Sequence, residues 1–321
     1  MDLYFEMNSG IAGDMTIAAL LDLGASKEKL VKAIESLGID GYELVFDRKI
    51  KNNIDANNFD VILKNEDHNH DHNHGHDHNH GHPHDHDHSH EIDNEDVHSH
   101  KHEHVDEDGN TFTHVHEHTH NNDHTHEHVD ENGNTYTHSH GDDHHGHRHL
   151  KEITELINKV DISEKAKKDA LGIFDIIADA EAKAHGIEKS AVHFHEVGAV
   201  DSIIDIIGTA VLIDDLGAEN IYFSDLSEGY GYQYSSHGQM PIPVPAVINI
   251  LAGSDVTLKL LDEEGEHVTP TGAAIVRYYD KGEKIDSFKV RNIGLGAGNK
   301  DFAKYTNILR VMEIETSKKK H

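Results

Sequence analysis

The segment HFHEVGAVDSIIDIIG carries the residue types best suited to metal or acid–base chemistry. His193 and His195 are two residues apart, so in an extended segment both imidazoles would project to the same side. Asp201 and Asp205 are four apart in an otherwise almost entirely apolar stretch, which places them on one face of a largely buried helix. Because buried carboxylates need a partner, the pattern predicts a catalytic or metal site formed by these four residues and Glu196.

Nitrogen and oxygen ligands of this kind suit nickel, manganese, iron or zinc and do not choose among them. A purely structural interpretation stays open at this point. In it, Asp201 and Asp205 cap the helix and form ion pairs, favoured by the helix dipole.

The turn NSGIAGDM lies between a predicted strand and a predicted helix, where backbone amides can cradle an anion. Ser9 can donate a hydrogen bond, and Gly10 and Gly13 allow close approach, so we expect these three to bind a cofactor. The turn is neither a Walker motif nor a G-x-G-x-x-G motif, and an ordinary tight turn is the alternative. Asp14 would repel phosphate unless it held a metal, so we expect it among the catalytic residues.

Two later segments are further candidates for binding an anionic ligand. His237 lies in a glycine- and proline-rich loop, SSHGQMPIPVP, and Thr269 and Thr271 stand at a predicted helix start. Free amides in either segment can bind an anion. Each is explained equally well as an ordinary loop or helix cap.

Histidine is concentrated between residues 66 and 149, which hold 29 of the 35 histidines of the chain. A stretch with so few apolar residues cannot bury a core, so we expect a disordered insert. Two repeats, HVDEDGNTFTHVH and HVDENGNTYTHSH, predict hairpins around D-E-D/N-G-N turns. The alternating imidazoles predict a metal reservoir rather than a plain solvated linker, with ligands that include His68, His70, His72, His74, His76, His78 and His80.

The pattern around these residues predicts an α/β (α+β) fold. It opens β-α-α-β-β, continues after the insert with buried central helices, and closes with two strands. We expect the α/β domain to comprise residues 1–65 and 150–316, the insert to comprise 66–149, and residues 317–321 to be a frayed tail.

Composition excludes several function classes. The chain has no cysteine, which excludes disulfides and thiolate metal sites, and its net charge of −32 disfavours nucleic acid and anionic membranes as partners. The N-terminus has no export signal and no apolar run is long enough to span a membrane, so we expect a cytoplasmic protein.

Five segments in this order resemble the LarC nickel insertion proteins: YFEMNSGIAGDMTIAALLDLGA, HFHEVGAVDSIIDIIG, SHGQMPIPVPAV, TPTGAAIVR and IGLGAGNKDFAKYTNILRV. The resemblance implies a nickel chelatase or insertase of the lyase class. Its substrate would be pyridinium-3,5-bisthiocarboxylic acid mononucleotide, and its product the nickel-pincer cofactor of lactate racemase.

The resemblance also implies CTP hydrolysis with a divalent ion, Mn or Mg. In the family CTP is bound by a C-terminal domain, and we expect this chain to match the N-terminal portion only and to need that domain for CTP use. The expected partners are this domain, lactate racemase or a related apo-enzyme, and further copies of the chain. Two alternatives remain: a nickel storage or delivery protein without catalysis, and a metal-dependent hydrolase of a phosphorylated small molecule.

Overall fold

The computed structural model describes residues 1–64, 97–105, 111–119, 125–129, 135–139, 148–194, 200–235 and 238–316. The chain divides into two compact units, one of Met1–Asp67 with Gly146–His321 and one of His68–His145. The predicted mixed α/β fold class is confirmed. The predicted reservoir ligands from His68 to His80 lie outside the described residues.

The helices of the described residues are α1 (Gly13–Leu23), α2 (Lys27–Glu35), α3 (Leu150–Lys159), α4 (Glu164–His185), α5 (Val200–Asp215), α6 (Pro245–Leu251) and α7 (Pro270–Tyr279). The strands are β1 (Asp2–Glu6), β2 (Tyr42–Lys51), β3 (Ile54–Leu63), β4 (Val97–Val105), β5 (Thr111–Thr119), β6 (Thr125–Val129), β7 (Thr135–Ser139), β8 (Arg148–His149), β9 (His193–Phe194), β10 (Asn220–Phe223), β11 (Leu226–Ser235), β12 (Gly238–Ile242), β13 (Leu258–Glu264), β14 (Phe288–Ala297) and β15 (Ile308–Thr316). The β-α-α-β-β opening is therefore confirmed.

The main sheet has the strand order β10-β1-β15-β14-β3-β2. β1 is parallel to β10, β14 is parallel to β3, and β15 is antiparallel to both β1 and β14. Four strands therefore run in one direction and end at one edge of the sheet, which we call the carboxyl edge. In sheets of this kind ligands bind beyond the carboxyl ends of the strands.

The helices pack in layers on this sheet. α1 lies on β3, β14 and β15, and α5 packs on α1, α2 and α4. Almost every residue of α5 from Ile203 to Ile213 is buried, which confirms the predicted buried central helix. No helix within the described ranges is long and apolar enough to cross a membrane.

A second sheet has the strand order β12-β11-β13 and includes a segment that the sequence predicted wrongly. The segment interpreted as a glycine- and proline-rich loop forms β12 over Gly238–Ile242, antiparallel to β11. Pro241 has no backbone N–H, which a central strand would need, but β12 is an edge strand and tolerates it.

Paired strands also occur within His68–His145. β4 pairs with β5 and β6 with β7, both antiparallel, with Val105 opposite Thr111 and Val129 opposite Thr135. The two predicted hairpins are therefore confirmed in the arms of the repeats. Their turn residues lie outside the described ranges.

Candidate functional site

The turn between β1 and α1 lies at the carboxyl edge and is fixed by contacts to distant residues. Gly10 has a positive φ of 84°, and its N–H donates to the Met7 carbonyl at 3.1 Å. A Cβ on Gly10 would lie 2.0 Å from the His267 carbonyl oxygen, so no larger residue fits. The Ser9 side chain is buried, and its Oγ lies 3.4 Å from Nδ1 of His267.

The N-terminus of α7 joins this turn. The Ile11 N–H donates to the His267 carbonyl at 3.0 Å, and the Thr269 N–H donates to the Ile11 carbonyl at 3.2 Å. Oγ1 of Thr269 caps α7 by accepting the Gly272 N–H at 3.2 Å, while Thr271 is buried. The structure thus brings Ser9 and Thr269, 260 residues apart in the chain, into one small region.

Three aspartates near the turn are close enough to Asp205 for their charges to raise its pKa, and we call Asp14, Asp60, Asp201 and Asp205 the carboxylate cluster. Asp205 packs so closely on Gly13 that a Cβ there would lie 2.5 Å from its Oδ2. Oδ1 of Asp201 and Oδ1 of Asp205 are both buried and have no hydrogen-bond partner among the described residues. The predicted shared face of Asp201 and Asp205 therefore points into the interior, and its carboxyl oxygens lack the cation or hydrogen-bond donor that buried carboxylates need.

Burial and the charges of neighbouring carboxylates raise the pKa of two members of the cluster, Asp14 and Asp205. Burial raises the pKa of Asp14 to about 6; the Met15 N–H, at 2.7 Å from Oδ1, opposes the shift, and the charge of Asp60 adds to it. Burial, followed by the charges of Asp14, Asp201 and Asp60, raises the pKa of Asp205 well above its ordinary value. A carboxyl with a raised pKa binds a proton more readily than usual and releases it when a cation binds.

Lys49 and Asp60 are members of this site that the sequence analysis missed. The Lys49 ammonium donates to Oδ1 of Asn299 at 2.5 Å, and Nδ2 of Asn299 lies 3.4 Å from Oδ2 of Asp60. The charge of Lys49 also acts to lower the pKa of Asp14. No local sequence motif indicates these residues. They approach Asn299 only because the order of strands in the sheet brings β2 and β3 near that distant segment.

The imidazole half of the predicted metal set is not described. His195, Glu196 and His237 lie outside the described residues, as does the side chain of His193. Among the side chains that are described, no three His, Asp or Glu form a complete metal-ligand set. The described residues therefore supply a pair of unpartnered carboxylates, and the full ligand set stays a prediction.

Glu228 and His267 form a second buried polar group that sequence reasoning did not find. Oε1 of Glu228 accepts the N–H groups of Gly229 and His267 at 2.8 and 2.7 Å, and burial raises the pKa of Glu228 to about 7. The His267 ring stacks on Phe302 with centroids 3.6 Å apart, and burial lowers its pKa. Since His267 also holds Ser9, this group fixes the turn that leads to Asp14.

Comparison with known proteins agrees with the order of segments noted in the sequence. The family profile described as nickel insertion protein matches residues 3–321. A pyridinium-3,5-bisthiocarboxylic acid mononucleotide nickel insertion protein of Alkaliphilus metalliredigens is 39% identical over 98% of this chain and 61% of its own length. The protein of the same name from Geobacillus kaustophilus is 32% identical over 97% of this chain and 59% of its own length.

The chain thus spans about three fifths of the length of these curated relatives. No solved structure matches it. The family match covers both the turn at Ser9 and the helix of Asp201 and Asp205, and so includes the described part of the site. The chain belongs to the nickel insertion protein family.

Proposed function

We propose that this chain takes part in inserting nickel into pyridinium-3,5-bisthiocarboxylic acid mononucleotide, the compound named in its relatives, and that nickel is received at the carboxylate cluster. Nickel is the cargo of this reaction. Oxygen ligands from Asp201 and Asp205, with Asp14 beside them, would hold it until it passes to the sulfur atoms of the acceptor.

One observation carries the proposal. Two carboxylate oxygens, Oδ1 of Asp201 and Oδ1 of Asp205, are buried without any partner among the described residues. An uncompensated buried carboxylate destabilises the folded protein by several kcal/mol. A cation that binds to it removes this cost, which favours binding. Imidazoles from the 193–196 segment, which is separated by three residues from the start of α5, would complete the ligand set.

The histidine-rich segment has a separate role in this proposal. Its imidazoles would collect nickel weakly at many positions and raise the local supply, because a ligand set without a preorganised geometry loses ordering entropy at each ion. CTP, with Mn or Mg, would act through the region of the relatives that this chain does not match, since the sequence contains no Walker motif.

Nickel titration calorimetry of the full chain tests the proposal. We expect a small class of tight sites and a large class of weak sites. Asp205→Asn should weaken the tight class by more than the roughly 10- to 100-fold typical of losing an outer-shell partner, because it removes a direct ligand. The weak class, which arises from histidine, should not change and serves as an internal control.

Asp40→Asn is the matched control variant, since Asp40 is an exposed carboxylate in the loop before β2. It should leave both classes unchanged. Loss of the tight class in Asp40→Asn, or its survival in Asp205→Asn, would contradict the placement of nickel at the cluster. Formation of nickel-containing product, measured with and without the remaining two fifths of the Alkaliphilus relative, then tests insertion itself.

A further inference from the structure

A cavity of about 290 Å³ opens at the carboxyl ends of β1 and β10, on residues that the carboxylate cluster does not use. Its lining includes Tyr4, Asn8, Ser224, Ser227, Lys259 and Lys284. The volume is just below the range of about 300–1,000 Å³ typical of ligand pockets, which is large enough for part of a mononucleotide. Its place beyond two parallel strand ends is where sheets of this class bind ligands.

Hydrogen bonds tie the cavity wall to the turn that leads into α1. Oγ of Ser224 accepts the Met7 N–H at 2.8 Å, and the Ser227 N–H donates to the Met7 carbonyl at 3.3 Å. The Gly10 N–H donates to the same carbonyl. Asn8, in the wall, is therefore held by the same contacts that fix the start of the segment reaching Asp14.

The charge at the cavity is positive in a chain whose net charge is −32. The Lys284 ammonium lies 3.7 Å from a carboxylate oxygen of Asp225, longer than a direct hydrogen bond. Lys259 belongs to no ion pair within the described residues. Two ammonium groups facing one carboxylate leave an excess positive charge that attracts an anion.

Aromatic side chains stiffen the walls. The Tyr4 ring packs on Phe288 with centroids 4.8 Å apart, and the Phe223 ring packs on Phe5 at 5.1 Å. Both rings are thereby fixed before a ligand enters, which lowers the entropy cost of binding.

We propose that this cavity binds the phosphate end of an aromatic mononucleotide, with Lys259 and Lys284 on the phosphate and Asn8 and Ser227 as neutral donors. A phosphate monoester carries nearly two negative charges at pH 7 and three acceptor oxygens, which match two ammonium groups and two neutral donors. The inference rests on the proposed function, because the acceptor of nickel is then the mononucleotide. The new element is the position of the acceptor's phosphate, which would bind at the opposite end of the turn from Asp14.

The test uses nicotinic acid mononucleotide, a pyridinium ribose 5′-phosphate, as the probe for calorimetric binding to the full chain. We expect Lys259→Gln and Lys284→Gln each to weaken binding about tenfold or more, the effect of losing one charge-assisted hydrogen bond. Lys168→Gln, at an exposed position on α4, is the matched control and should bind as the wild type does. All three lysines are exposed, and far-UV circular dichroism verifies that each variant is folded.

Two comparison ligands separate the sources of the signal. The riboside, which lacks phosphate, should bind at least tenfold more weakly, and inorganic phosphate should compete with the mononucleotide. Absence of mononucleotide binding at millimolar concentration, equal affinity for the riboside, or unchanged affinity in both lysine variants would overturn the inference.

Failure here is distinguishable from failure of the proposed function. Asp205→Asn should abolish tight nickel binding and leave mononucleotide binding intact, whereas the lysine variants should do the reverse. Tight nickel binding without mononucleotide binding would therefore reject the cavity alone.

Discussion

Replacing Asp14 by Asn should stabilise the metal-free protein while weakening its tight nickel site. Burial raises the pKa of Asp14 from 3.8 to about 6 in the folded state. A carboxyl whose pKa is raised by folding favours the folded state when protonated and opposes it when ionised, so stability falls as pH rises from 3.8 through 6. At pH 8 the full difference between these two pKa values costs about 3 kcal/mol, since a difference of one in pKa is about 1.4 kcal/mol.

Asparagine keeps the shape of Asp14 and can still accept the Met15 N–H, but it carries no charge. We therefore expect a gain of about 3 kcal/mol in the free energy of unfolding at pH 8, about half of that at pH 5, and none below pH 3.8. The assay is urea unfolding with a chelator present, followed by far-UV circular dichroism because the chain has no tryptophan.

The comparison at two pH values decides between explanations. A gain that is equal at pH 8 and pH 5 would show that Asn acts through packing rather than through charge. A loss of stability at pH 8 would refute the view that Asp14 is held in an unfavourable charged environment. Asp40→Asn, exposed and outside the cluster, should change stability by less than about 0.5 kcal/mol at either pH.

Three other changes have defined outcomes. Gly13→Ala should destabilise the protein by about 1–3 kcal/mol in urea unfolding, although alanine favours helices, because its Cβ would overlap Asp205. Tyr279→Phe should cost about 1 kcal/mol in the same assay, since its hydroxyl donates to buried Asp169 at 3.0 Å; no change would show that bond to be dispensable. Deletion of residues 68–145, the second compact unit, should leave the tight nickel class intact in calorimetry, because the length of an insertion adds little loop-closure cost; loss of the tight class would place the tight site in that unit.

Elements with local signals could be predicted from sequence. Ser163 caps α4 by accepting the Ala166 N–H, and Gly186 ends it in a left-handed conformation, as the serine at its start and the glycine after it predict. The alternating runs of β2 and β3 likewise predicted an antiparallel pair. In each case the residues that determine the element lie within it or directly beside it.

β12 and the sheet order could not be predicted in the same way. The glycine and prolines around β12 indicate a loop, and only pairing with the strand β11 makes that segment extended. Similarly, β1 lies between β10 and β15, strands that begin more than 200 residues later in the chain. Such contacts depend on non-local packing, for which periodicity within a window carries no information.

The same distinction between local and non-local contacts applies to the residues of the candidate site. The four-residue spacing of Asp201 and Asp205 predicted their shared buried face, because one helix turn determines it. Asp60 and Lys49 join the cluster through the 298–300 segment, and the Glu228 contact to His267 spans 39 residues. Nothing near these residues in sequence indicates their partners.

The chemical environment of Asp14 is determined by residues that are distant in the sequence. A carboxylate beside an anion-binding turn looked contradictory in the sequence, since it would repel a phosphate. In the fold, Asp205 packs on Gly13, and the Asp14 N–H partly offsets the rise in the pKa of Asp205, so the start of α1 already faces a carboxyl group of the protein itself. A phosphate placed there would add to a cluster of carboxylates, whereas a divalent cation would neutralise it. The two proposals are therefore consistent with each other: the cation would bind at the α1 end of the turn, and the phosphate would bind in the cavity lined by Lys259 and Lys284.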